Sequence, residues 1–187
     1  MHNSFRMRAA IAAIGAAALA CTASLVPAHA ATSGDTTTTF TLTAGNLAIS
    51  VPASASLGSV ATGTGTTSAQ LGAVQVSDGR GALLGSWTSS VTSTDFTTGG
   101  ATSNETITKG NADYWSGAAT ATTGVGTFTP GELLVANKVA LSASRTAFSA
   151  TVVVGNNTAT WNPTMIINVP SAAVAGTYSG TVTHSVA

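Results

Sequence analysis

The residues best equipped for chemistry are three tryptophans, Trp87, Trp115 and Trp161, and a Ser-Asp-Gly-Arg turn that holds Asp78 and Arg80. An indole offers a broad apolar face and one N–H, so it can fill a core or stack on a sugar ring while its edge donates a hydrogen bond. Trp87 lies in Gly85-Ser86-Trp87-Thr88-Ser89 and Trp161 in Thr158-Ala159-Thr160-Trp161-Asn162-Pro163, both strand-like runs. That setting favours packing, as where a strand tryptophan anchors two sheets. Trp115 directly follows Tyr114, and neighbours on a strand point to opposite faces. Of the three tryptophans it has the best claim to the surface. Asp78-Gly79-Arg80-Gly81 reads first as a tight turn, because Asp bonds its own downstream backbone and Gly supplies positive φ. Its functional reading makes Arg80 a clamp for a carboxylate or phosphate, which the planar guanidinium suits.

Catalysis finds less to work with. Arg6 and Arg8, an uncharged Ala/Leu/Ile-rich stretch from Ala9 to Val26, and Ala28-His29-Ala30 have the form of a secretory signal, so residues 1–30 are set aside as a cleaved leader. Cys21 leaves with it, and the exported chain then has no disulfide to stabilise it. Only His184 remains as a base for a Ser-His-Asp or Cys-His site, and no His/Cys cluster suits a metal. Glu105, Asp113 and Glu132 allow a glycosidase pair by spacing, but each reads more simply as a solvated loop residue. No acidic run suits calcium. The sequence therefore predicts a protein that is not an enzyme and needs no cofactor.

Charge narrows the partners. Charged residues make up 6% of the chain, against about 25% in a typical domain. After residue 30 there are four bases (Arg80, Lys109, Lys138, Arg145) against six acids (Asp35, Asp78, Asp95, Glu105, Asp113, Glu132), a formal net of −2. With no basic patch, nucleic acid is excluded as a partner. The solvated surface must consist of hydroxyls and amides.

The elements that must position these residues are strands. Apolar and polar residues alternate with period two, and no helical period appears after the leader. Strand-like runs fall at Thr37–Thr43, Asn46–Val51, Leu71–Val76, Trp87–Val91, Phe148–Val154, Ala159–Val169 and Gly176–Thr183. Pro170–Gly176 reads as a connection between neighbouring strands, Ala61–Ser68 as a loop, and Gly131–Lys138 as the one short helix-compatible stretch. Residues 31–187 are long enough to bury one core, and the pattern predicts a single all-β domain. Its expected form is an antiparallel β-sandwich of Ig-like or Greek-key type.

The Ser77–Arg80 turn running into Trp87, with a second tryptophan motif at Trp161, resembles the WxL family of secreted Gram-positive surface domains. In that family an Asp-Thr-Arg-like turn leads into a first Trp-x-Leu, and a second Trp-x-Leu closes the domain. The likeness spans roughly Thr39 to Ala187. It departs from the pattern where Thr88-Ser89 follows Trp87 and Asn162-Pro163 follows Trp161, so both leucines are replaced. The resemblance implies an extracellular protein associated with the cell wall, with peptidoglycan or other surface proteins as partners. Residues 181–187 carry no hydrophobic tail or basic stop, so the expected retention is noncovalent, with no membrane span in the exported chain. Trp87, Trp115, Trp161, Asp78 and Arg80 are the candidate binding residues. The alternative is a subunit of a surface assembly that self-associates by pairing strand edges, with the Thr-rich N-terminal run adding to another molecule's sheet.

Overall fold

The computed structural model describes residues 34–63 and 65–187; the predicted leader lies outside them. Two units divide the chain, residues 1–40 and 41–187. In the first, residues 34–40 are exposed and without regular secondary structure.

The second unit is all-β and antiparallel, with no α-helix among the described residues. In chain order its strands are β1 (Leu47–Ser50), β2 (Gly65–Gln70), β3 (Val74–Asp78), β4 (Leu83–Ser93), β5 (Phe96–Thr97), β6 (Thr106–Ile107), β7 (Ala112–Trp115), β8 (Ala119–Pro130), β9 (Val139–Ala140), β10 (Arg145–Trp161), β11 (Thr164–Val169) and β12 (Val182–Val186). Single 3-10 turns at Ser103–Glu105, Lys109–Asn111 and Val135–Asn137 are the only helical pieces described. None is long and apolar enough to cross a membrane.

The main sheet is organised around β10. Along one of its edges β4 pairs with Arg145–Val154 and β3 with Asn157–Trp161, so β3 and β4 lie end to end on the same side. β8 pairs along the other edge. β1 extends the sheet beyond β3 and β12 beyond β4. A second sheet has the order β2-β11-β7-β9, and β5 pairs with β6. Alternation determines which side chains turn inward: Val74 and Val76 of β3, Trp87 and Val91 of β4, and Ala159 and Trp161 of β10 are buried. They share one hydrophobic core with Tyr114 of β7 and with Met165 and Ile167 of β11.

The structure corrects several sequence expectations. Phe148–Val154 and Ala159–Val169 are not two separate strands. β10 continues through Gly155, whose φ of 69° accommodates a local irregularity, and it bends strongly enough there to bring Phe148 and Trp161 into contact. The break comes instead at Asn162-Pro163, where proline has no N–H for the ladder and the chain passes from the main sheet to the second. Pro170–Gly176 consequently joins strands of different sheets, not neighbours. Half of the expected 61–68 loop is strand β2, held along its length by β11. Thr37–Thr43 is not in any sheet.

Candidate functional site

Asp78 closes β3, and residues 79–82 separate it from β4. The turn is the one expected locally, because the Arg80 amide donates to Asp78 Oδ1 at 3.0 Å. It does not form a hairpin, since the chain continues along the same edge of β10. The Arg80 side chain folds back over the carboxylate, with Nε donating to Oδ1 at 2.9 Å and Nη2 to Oδ2 at 3.0 Å. Nη2 also donates to the Ser86 carbonyl at 2.8 Å. From the core side, Asn157 Nδ2 donates to Asp78 Oδ2 at 3.3 Å, and Asn157 Oδ1 accepts from Trp87 Nε1 at 2.9 Å. Indole, amide, carboxylate and guanidinium thus form one chain from the core to the surface. The paired Arg80 guanidinium holds the Asp78 carboxyl below its ordinary range against the opposing effect of burial, and Asp78 in turn raises Arg80.

Three of the five candidate residues therefore meet in one cluster, and a fourth joins it through the core. The Trp87 and Phe148 rings stack 6.4 Å apart, and Phe148 stacks on Trp161 at 4.9 Å. Trp87 is 2% exposed and Trp161 0%, so neither indole presents a face on which a sugar could stack. Trp161 Nε1 donates to the Tyr114 hydroxyl at 3.3 Å, which meets His184 Nε2 at 3.1 Å. Trp115 stands apart on β7, half-buried, opposite Thr164 of β11. Its Nε1 is buried without a hydrogen-bond partner. Arg80 opens onto a hollow lined also by Leu42, Gly79, Gly155 and Asn156.

Comparison of the chain with protein-family models, with curated proteins and with solved structures gives no match in any of the three.

The acids differ from the sequence expectation. Asp113 and Glu132 are buried, not solvated. Asp113 pairs with Lys138 and accepts from Asn168 Nδ2 at 3.0 Å. Burial pushes its carboxyl up, but Lys138 and Asn168 outweigh this and the net shift is downward. Burial raises Glu132, with Arg145 offsetting part of the effect. Glu105 instead stays on the surface, where its carboxylate accepts from the Thr102 amide and hydroxyl. Among the described residues no group of three or more His, Cys, Asp or Glu could hold a metal.

Sequence reasoning missed Asn157 and Phe148, the two residues that wire the candidates together. Both lie far from their partners in the chain, so no local pattern marks them. It also missed the character of the outward face of the main sheet. Opposite the buried residues of β3, β4 and β10 stand Gln75, Ser77, Thr88, Ser90, Thr158 and Thr160. They are cross-linked: Gln75 Nε2 donates to Thr160 Oγ1 at 3.0 Å, Thr123 and Thr158 hydroxyls meet at 2.7 Å, and Ser90 and Ser185 at 2.9 Å. No charged side chain interrupts these rows.

The cluster makes a stability prediction. Asp78→Ala strips Asn157 Nδ2 and Arg80 of their acceptor, and one unsatisfied buried donor costs about 1–3 kcal/mol. Arg80→Ala should cost less, because the side chain is 37% exposed and water replaces its contacts. Urea titration of both variants checks this order; equal losses would mean that the carboxylate is not a structural hub.

Proposed function

We propose that the protein is an exported surface protein that associates noncovalently with cell-wall polymer through the outward face of its main sheet. The observation that carries this reading is the uncharged hydroxyl and amide face. Cross-strand neighbours about 4.8 Å apart, with same-face residues repeating about every 6.7 Å along each strand, present an array of donors and acceptors. Such a surface suits a repeating glycan better than a charged ligand. Each contact is weak, and affinity comes from repetition along the polymer. The reading agrees with the WxL-like motifs, with peptidoglycan as the favoured partner, and with an Ig-like or Greek-key sandwich as the finer description of the fold. It moves the binding role from the buried tryptophans to the strand hydroxyls.

Sedimentation of the purified protein with isolated walls, intact or stripped of their proteins, tests it. Binding to stripped walls should persist and should change little between about 0.05 and 0.5 M salt, because no ion pairs are involved. The double variant Thr158→Lys/Thr160→Lys should bind at least about tenfold more weakly while its melting temperature stays near the parent's, as surface changes usually do. Loss of binding on stripping would assign a protein partner. Unchanged binding by the double variant would remove this face from the role.

A further inference from the structure

The second unit has a cleft of about 210 Å³ that reaches the core. One wall is the segment that leaves β1. Val51, Ala53, Ala55 and Leu57 line the cleft, in a run where apolar residues alternate with Pro52, Ser54 and Ser56. Alternation of this kind puts the four on one side of an extended chain. The segment belongs to no described ladder, and no backbone group of residues 51–56 has a hydrogen-bond partner among the described residues. It is held near its ends instead. Thr67 Oγ1 donates to the Leu57 carbonyl, and Pro52 packs on Gly72, where a Cβ would lie 2.7 Å from the proline Cγ. A wall with so few hydrogen bonds can adjust to an occupant.

The rest of the lining is mostly core. Val74 of β3, Phe96 of β5 and Met165 of β11 are buried core residues that form its floor. No charged side chain lines the cleft, so an ion entering it would lose hydration without meeting a counter-charge. The size is that of a small ring compound. An apolar cavity of about 150 Å³ holds benzene, and the volume here leaves room for a ring with a short substituent. The Phe96 ring and the Met165 thioether both pack favourably against an aromatic ring.

His184, beside Val182 on the inward side of β12, gives this lining a polar anchor. Its Nε2 meets the Tyr114 hydroxyl at 3.1 Å, and that hydroxyl accepts from Trp161 Nε1 at 3.3 Å. The ring is thus oriented by two core residues. With Tyr114 donating to Nε2, the proton of the neutral ring is on Nδ1. Nδ1 has no protein partner among the described residues and is not sealed within the core. Burial lowers the histidine pKa to about 4, so at neutral pH the group offered to the cleft is an uncharged donor. The other polar side chains of the lining, Ser54 and Thr181, belong to exposed residues.

We propose that this cleft binds a small uncharged aromatic compound, with its ring against Phe96 and Met165 and one acceptor, such as a carbonyl oxygen, on His184 Nδ1. Each part of that description has its own source. The uncharged lining selects a neutral molecule, and the volume limits it to one ring with a short substituent. A single oriented donor calls for one acceptor, in the way that a few polar groups fix a ligand's orientation in a mostly apolar site. None of the outward residues of the hydroxyl face lines the cleft, so the proposal does not depend on wall binding.

Titration of the exported protein with acetophenone, followed by amide proton–nitrogen NMR spectra, tests it. The amides of residues 53–57 and 180–184 should shift saturably, with a Kd about millimolar or tighter for a ligand of this size. His184→Phe keeps a ring in place but removes the donor. It should weaken acetophenone about three- to tenfold, the worth of one neutral hydrogen bond. Toluene, which has no acceptor, should bind this variant as well as it binds the parent. Ala53→Trp leaves His184 and Tyr114 intact and keeps the test open where His184→Phe fails to fold. It should fill the cleft and abolish binding of both compounds, with a melting temperature near the parent's because Ala53 is exposed. Shifts that do not saturate, or that persist unchanged in Ala53→Trp, would overturn the proposal. So would equal weakening of both compounds by His184→Phe, since the histidine would then be filling space and not holding an acceptor.

Discussion

Replacing Trp161 with alanine is expected to cost about 3–5 kcal/mol, in the range for a buried aromatic reduced to a methyl. A domain of this size has only about 5–15 kcal/mol to lose. The side chain is fully buried, stacks at 4.9 Å on Phe148, and donates its N–H to Tyr114, so it joins the main sheet to a strand of the second. Alanine would leave a cavity beneath Phe148 and an unsatisfied acceptor on Tyr114. Trp161→Phe should be milder, at about 1–3 kcal/mol, because most of the stack survives and chiefly the hydrogen bond is lost. Urea denaturation followed by circular dichroism gives the midpoints. If Trp161→Ala left the midpoint unchanged and only weakened wall binding, the indole would be a ligand-binding group and not a core element. Trp115→Ala provides the contrast: on a half-buried residue whose N–H has no partner, the loss should be clearly smaller.

The contrast among the tryptophans reflects what period-two alternation can reveal. It identified the strand class and placed Trp87 and Trp161 on inward faces, because a residue's side of a sheet follows from its position along the strand. The Asp78-Gly79-Arg80 turn was also legible, since an aspartate bonding its own downstream amide is a local event. What lay beyond the sequence was non-local. Asn157 reaches Asp78 and Trp87 across 79 and 70 residues of chain. Gly155-Asn156-Asn157 reads locally as a turn, yet β3, β4 and β8 pair along β10 on either side of it and carry the strand through. The opposite error arose at Thr37–Thr43. The pattern there is that of a strand, but a strand needs a partner, and no described ladder of its own chain includes it. Asp113 and Glu132 were misplaced for a related reason. Low charge made each acid look solvated, and only the fold reveals the Lys138 and Asn168 contacts that let Asp113 be buried.

Acid should destabilise the fold before Asp78 and Asp113 titrate, with His184 as the cause. Burial lowers its folded-state pKa from 6.5 to about 4. Nε2 lies 3.1 Å from the Tyr114 hydroxyl, which accepts from Trp161 Nε1. With His184 neutral, the Tyr114 hydroxyl can donate to Nε2. A proton on Nε2 turns that nitrogen into a donor, leaving Tyr114 to accept from both His184 and Trp161 with its own proton unpartnered. Because the folded pKa is the lower one, the unfolded chain binds the proton first, and stability falls as pH drops from about 6.5 to 4. A shift of this size corresponds to a loss of about 3 kcal/mol. Asp78 and Asp113, both shifted below 3.8, add losses only at lower pH, near and below their unfolded values. Urea midpoints at about pH 7, 5.5 and 4 should therefore fall steadily in the parent. They should not fall in His184→Gln, which starts lower; the raised Glu132 carboxyl takes its proton more readily folded than unfolded, so it tends to lift the midpoints as pH drops in both proteins. Parallel slopes in the two proteins would show that His184 does not govern the acid response, and the Tyr114–His184 contact would then count as packing alone.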